Sequence, residues 1–164
     1  MQIADVPLDQ RARLETLLEE SFEGWYLSHS RKTLQTIETV RSATIGGRLV
    51  GLVMLKTFEG AIGYVYYIAV AADQRRKKVG TRLLDHSLGY FEKLGMREAY
   101  ASIEKDNVES EGLFRSRGFA RISYRDVAGK YGHIKALDLY RKMLVVPGET
   151  LLCRQLSEMS ESAA

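Results

Sequence analysis

The segment Tyr64-Val65-Tyr66-Tyr67-Ile68-Ala69-Val70, followed closely by Arg75-Arg76-Lys77-Lys78-Val79-Gly80, restricts the fold of this chain more than any other. A run so apolar, from about Ala61 to Ala71, reads as a strand covered on both faces, the central strand of a sheet. Past the basic turn, Val79, Leu83, Leu84, Leu88, Phe91 and Leu94 mark one face of a helix, and Gly95 stands where a left-handed cap closes it. Arg97 to Glu104 returns as a strand. Strand, helix and strand then make one right-handed crossover joining parallel neighbours.

The flanking segments build outward from this unit. Leu14, Leu17, Leu18 and Phe22 predict an amphipathic helix over Leu8 to Phe22, and a second helix is expected from about Arg31 to Val40. The aromatic patch of Phe22, Trp25 and Tyr26 reads as the connection between them. Arg41 to Ile45, Gly46-Gly47 and Leu49 to Phe58 read as antiparallel hairpin strands. Asp106 or Asn107 caps a short helix through Arg117, closed by Gly118, and strands are expected at Phe119 to Val127 and Ile134 to Met143. The 164 residues suit one domain, expected over residues 1–146, with a tail over 147–164. In that tail Leu152, Leu156 and Met159 have the spacing of a short helix that would dock on the domain or on a second copy.

Composition removes several classes. Cys153 is the single cysteine, so disulfide and zinc frameworks are excluded and no metal is expected. No apolar run has the length of a membrane span, and Met1 to Arg13 lacks a signal-peptide core, which makes the cytoplasm the expected location. A net charge of +3 is too small to imply nucleic-acid binding. What matters is that four cations sit where a helix begins. The first helical amides lack partners within the helix and the helix dipole adds about half a positive charge, so this turn suits a phosphate group.

Ile68-Ala69-Val70, the basic turn, Gly80, Leu83-Leu84, Asn107, Leu113 and Gly118-Phe119 together resemble the GCN5-related N-acetyltransferase (GNAT) family over roughly Gly47 to Met143. The resemblance implies an α/β (α+β) fold: a mixed, mostly antiparallel twisted sheet of six or seven strands, flanked by about four helices, with splayed central parallel strands. It implies acetyl-CoA as cofactor and transfer of its acetyl group to a primary amine, of a small molecule or a peptide, in a ternary complex. Homodimers are common in the family. Arg75, Arg76, Lys77, Lys78, Val79, Gly80 and Thr81 would hold the pyrophosphate. Ile68, Ala69 and Val70 would line the pantetheine, with the Ile68 N–H as oxyanion donor and Val70 paired to a pantetheine amide. Asn107 and Phe114 complete the cofactor site.

Two positions depart from the family pattern. Lys78 stands at the first motif glycine, which suggests a turn that does not need a glycine-only angle, and Phe114 stands where many relatives carry a proton-donating tyrosine. Tyr124 and Tyr131 are candidates for a relocated donor, and dispensing with one is the other option, because a thiol of pKa about 8.5 leaves as a tolerable anion. Glu104, or the hydroxyls of Tyr66 or Tyr67 acting through water, are the groups available as base. Acceptor contacts are expected from Trp25, Tyr26 and the stretch from Tyr124 to His133. The missing tyrosine also motivates another reading, a domain that binds acetyl-CoA as a sensor without turning it over.

Overall fold

The computed structural model describes residues 1–156. Its seven strands form one sheet: β1 (Gln2–Asp5), β2 (Thr39–Ile45), β3 (Arg48–Phe58), β4 (Ile62–Val70), β5 (Glu98–Glu104), β6 (Ala120–Arg121) and β7 (Glu149–Gln155), in the order β1-β2-β3-β4-β5-β7-β6. Every pairing is antiparallel except β4 with β5. Six α-helices lie among the described residues: α1 (Glu15–Ser21), α2 (Gly24–Thr36), α3 (Val79–Lys93), α4 (Val108–Arg115), α5 (Tyr124–Tyr131) and α6 (His133–Met143). A 3-10 helix over Leu8–Leu14 leads into α1. This is the expected mixed sheet, with more helices than anticipated.

The crossover forms as its pattern dictates. Val79, Leu83, Leu84, Leu88 and Phe91 of α3 pack on Val53, Leu55 and Val65 of the sheet, and Gly95 takes φ 74 after the helix ends. Two glycines set how closely α3 approaches. A Cβ on Gly63 would lie 2.6 Å from the Phe91 ring, and one on Gly51 would lie 2.9 Å from Leu83. On the opposite face, Leu14, Leu17, Leu18 and Leu34 cover Leu52, Met54 and Ala69. The buried Arg11 guanidinium fastens this layer, donating to the carbonyls of Leu34 at 2.9 Å and Ile37 at 2.7 Å where α2 ends. A third cluster sets Val127, Ala136, Leu139 and Met143 of α5 and α6 against Ile62, Tyr64, Tyr100 and Leu151.

Four expectations need correction. The second helix begins at Gly24, so Trp25 and Tyr26 lie in its first turn rather than in a connection, and residues 39–40 belong to β2. The stretch expected as two strands between Phe119 and Met143 instead forms α5 and α6, with only Ala120–Arg121 in a strand. Ser123 accepts from the Asp126 amide while the Asp126 carboxylate accepts from the Ser123 amide, a capping box that starts α5. The tail over 149–155 is a strand, not a helix, inserted between β5 and β6. Leu152 and Leu156 are thereby buried in the chain's own core and do not offer the apolar face expected to meet a second copy, while Met159 lies outside the described residues.

Gly63→Ala is expected to destabilise the protein by about 1–3 kcal/mol, because neither the strand nor the Phe91 ring can yield without loss of packing. Chemical denaturation measures this. Pairing it with Phe91→Leu should recover part of the loss, and additive losses would show that the two residues do not compete for one space.

Candidate active site

Strand β4 parts from β5 halfway along. Their parallel pairing runs from Ile62↔Glu98 to Val65↔Ala101 and stops. At the same point the register of β4 against β3 slips, Leu55 facing Val65 and Met54 facing Tyr67, which leaves Tyr66 as a bulge. The bulge resets the alternation of side chains, so Tyr66 and Tyr67 both turn toward the α1 and α2 layer while Val65 and Ile68 face α3. Ala71 donates its amide to Val50 at 2.9 Å, which fixes the phase of the ladder beyond the bulge. By that phase the backbone groups of Ala69 point to β3 and those of Ile68 and Val70 point into the gap left by β5.

A cleft of about 770 Å³ runs through this gap. At one end it reaches the basic turn. The first intrahelical bond of α3 is Arg82 N–H to the Lys78 carbonyl at 3.0 Å, so the amides of Val79, Gly80 and Thr81 carry no helical partner and border the cleft. Lys78 has φ 65 and ψ 13, and Arg76 has φ 60. The expectation that Lys78 signals a turn free of left-handed geometry is therefore corrected: the angle is kept and a lysine adopts it, at about 1–2 kcal/mol over a glycine. Arg76 and Lys78 line the cleft, whereas Lys77 does not. Arg75 is engaged within the chain, donating Nη2 to the Glu20 carbonyl at 2.6 Å and Nε to the Val70 carbonyl at 3.3 Å.

Asn107 and Phe114 both border the cleft. Asn107 caps α4, its Oδ1 accepting the Ser110 amide at 3.0 Å, and Phe114 packs edge-on against Phe119 with ring centroids 5.1 Å apart.

The other end of the cleft is aromatic and acidic. Trp25, Tyr26 and His29 of α2 face Tyr64, Tyr66 and Tyr67 of β4, with Ser102 and Glu104 of β5 and Glu149 of β7 closing the side. Glu149 is a hub: it accepts from Tyr26 Oη at 3.0 Å, Ser102 Oγ at 2.5 Å and the Val146 amide at 3.1 Å. Burial raises the phenol pKa of Tyr26, an effect that Glu149 and Glu104 reinforce. Burial likewise raises Tyr64 and Tyr67, and it pushes Tyr66 up to about 12. All four phenols are thus protonated at neutral pH, donors rather than resident bases.

Among the acid–base candidates from the sequence, Glu104, Tyr66 and Tyr67 reach the cleft, and Tyr124 and Tyr131 do not. Tyr124 donates to the His133 carbonyl at 3.3 Å and packs on Tyr140. Tyr131 donates to Glu98, a carboxylate 3% exposed that also takes Lys130, Tyr100 Oη at 3.1 Å and Gln155 Nε2 at 2.6 Å. These contacts pin α5 to the sheet at the end of β5 opposite Glu104. The expectation that either tyrosine replaces the donor missing at Phe114 is corrected on that ground. Glu149 and Ser102 were not foreseen, since the tail read as a helix. His29 was not foreseen either. The spacing of Tyr26, His29 and Thr33, one face of α2, is the signal that places it.

Comparison with known proteins agrees with this geometry. No curated protein sequence matches the chain. Among solved structures, ribosomal-protein-S18-alanine N-acetyltransferase from Escherichia coli superposes with a TM-score of 0.72 at 14% identity, covering 99% of this chain and 98% of that one. A Bacillus subtilis acetyltransferase in complex with CoA gives 0.70 at 15% identity, covering 95% and 99%. PaiA N-acetyltransferase from Thermoplasma acidophilum, in complex with coenzyme A, gives 0.69 at 13% identity, covering 94% and 99%. These likenesses concern the fold. The family model described as acetyltransferase (GNAT) family matches residues 8–119, and with a split central sheet and a bare helix start sharing one cleft, the chain belongs to the GNAT acetyltransferase family.

Proposed function

We propose that the protein transfers the acetyl group of acetyl-CoA directly to a primary amine of a small molecule or peptide, both substrates being bound at once. The observation that carries this reading is the continuity of the cleft, from the unpartnered amides of α3, past the outward-facing backbone of Ile68 and Val70, to the aromatic and acidic end. When bound, acetyl-CoA supplies an acyl group on a good leaving thiol. The residues present fit it. The amides of Val79, Gly80 and Thr81, with the Arg76 and Lys78 cations, receive the pyrophosphate. Arg75, at the cleft wall, braces the turn through its bonds to the Glu20 and Val70 carbonyls, and Lys77 adds charge from outside the cleft. Ile68 and Val70 offer backbone groups to the pantetheine in the gap, beside Ala69, and the Ile68 N–H stabilises charge developing on the thioester oxygen. A preorganised donor of that kind typically contributes about 3–4 kcal/mol. Phe114 and Asn107 wall the gap on the α4 side.

At the opposite end Glu104 and Glu149 give an incoming ammonium its counter-charge, and Trp25 and Tyr26 cover its apolar portion. The two carboxylates and the cationic turn lie at different ends of one cleft, so each substrate meets the charge it needs. With Phe114 lacking a hydroxyl, the thiolate leaves as the anion and takes a proton afterwards.

Three measurements check this. Acetyl-CoA with a panel of amines should give amine-dependent thiol release, whereas tight binding without release would leave the sensor reading in its place. Replacing both Arg76 and Lys78 by alanine should weaken acetyl-CoA binding about tenfold, and the loss should shrink as salt is raised. Lys78→Gly separates angle from charge: it should stabilise the fold by roughly 0.5–1 kcal/mol while still weakening acetyl-CoA binding.

A further inference from the structure

We infer that His29 and Tyr67 form a proton relay that takes the surplus proton from the incoming ammonium, so that the neutral amine can attack. The relay rests on the amine-transfer reading. It is carried by a built arrangement: His29 Nδ1 stands 2.6 Å from Tyr67 Oη, and both residues border the cleft. The imidazole is stacked on the Trp25 indole, ring centroids 5.0 Å apart and planes 8° from parallel. Thr33 Oγ1 lies 3.4 Å from the same nitrogen, but its hydrogen goes to the His29 carbonyl at 2.8 Å. Tyr67 is then the hydroxyl that donates to Nδ1. Its own ring is held edge-on by Phe22 at 5.1 Å, and the bulge at Tyr66 turns it to the α2 face, one residue before Ile68. The phenol therefore meets the histidine from the strand that carries the Ile68 N–H.

The charge states suit the task. Burial lowers the His29 pKa below its usual value, Lys32 on the same helix adds to this and Glu149 across the cleft opposes it, which leaves the imidazole neutral near pH 7 with its Nδ1 lone pair accepting from Tyr67. Burial raises Tyr67, with Glu149, Tyr26 and Tyr66 adding to the effect, so the phenol passes a proton on and does not lose it to water. The ammonium gives one proton to Tyr67 Oη while the phenolic proton moves to Nδ1, and His29 becomes the imidazolium. The amine lone pair then forms the N–C bond, the C–S bond breaks with its electrons on sulfur, and the second N–H proton ends on the thiolate. His29 returns its proton to water. The sum is ammonium and thioester giving amide, thiol and one proton. Glu104 and Glu149 attract the ammonium in this scheme, and the histidine, through Tyr67, removes its proton.

The test compares kcat against pH for the full chain, His29→Asn and Tyr67→Phe with the panel alkylamine of fastest thiol release, and at neutral pH and above with hydroxylamine, which is uncharged there. Asparagine keeps a hydrogen-bonding group beside Tyr67 but cannot titrate. In the unaltered chain, kcat with the alkylamine should rise with pH through the lowered His29 pKa. Either variant should lower that kcat about 10²-fold and His29→Asn should remove the rise. Acetyl-CoA affinity, which verifies that each variant is folded, should be unchanged, and the hydroxylamine rate should stay near that of the unaltered chain. Equal losses for both amines would show a packing role and overturn the relay, as would an alkylamine kcat and pH profile that survive His29→Asn. Thiol release absent from the unaltered chain with every amine would sink the transfer reading itself, a result distinct from either.

Discussion

The parting of β4 from β5 beyond Val65 is the constraint on which the rest of the molecule depends. A strand in mid-sheet normally satisfies its backbone on both sides, and leaving one side open is costly unless water or a ligand takes the place of the neighbour. Here the cost is confined to a few residues by the bulge at Tyr66, which ends the paired region abruptly. The same bulge places two consecutive tyrosines on one face. A single local irregularity thus provides both the open backbone and the aromatic wall.

The surrounding layers serve to hold this opening at fixed width. On one side α3 is drawn close by Gly51 and Gly63, which puts its first amides at the rim. On the other, Arg11 ties the end of α2 to the layer beneath it, and Glu149 links α2 to β5 through Tyr26 and Ser102. Glu98 does a comparable job at the far end of β5, where its partners keep α5 against the sheet. Two carboxylates of similar surroundings in sequence therefore have different uses. Glu98, 3% exposed, is a clamp, while Glu104 is left exposed at the rim of the cleft.

The crossover from Tyr64 to Glu104 was legible because its signals are local: an unbroken apolar strand, a helical stripe and a glycine stop. The basic turn at the start of α3 was legible for the same reason. Beyond Gly118 the sequence misled, since Tyr124, Val127, Tyr131 and Tyr140 have residue types that favour strands while their spacing and the Ser123-Asp126 pair favour helices; the cap and the packing of Val127, Leu139 and Met143 won. Strand β7 was harder still. Leu151 and Leu152 are consecutive and both buried, so no alternation marks them, and their partner β5 lies far back in the chain. Glu149 and Ser102 inherit that difficulty, because nothing in the intervening residues announces that they meet.

The place of β7 in the sheet also bears on how the chain acquires its structure. Strand β5 is flanked by β4 and β7, and β6 has β7 as its neighbour, so until residues 149–155 are made the sheet ends at β5 and β6 has nothing to join. A nascent chain emerging from the ribosome would leave the backbone edge of β5 unpaired until its last described strand arrives. Closure across so large a sequence separation is slow relative to the local crossover. The carboxylate at Glu149 rides on that late strand, so a chain interrupted before it would retain the basic turn yet lack the hub of the aromatic and acidic end.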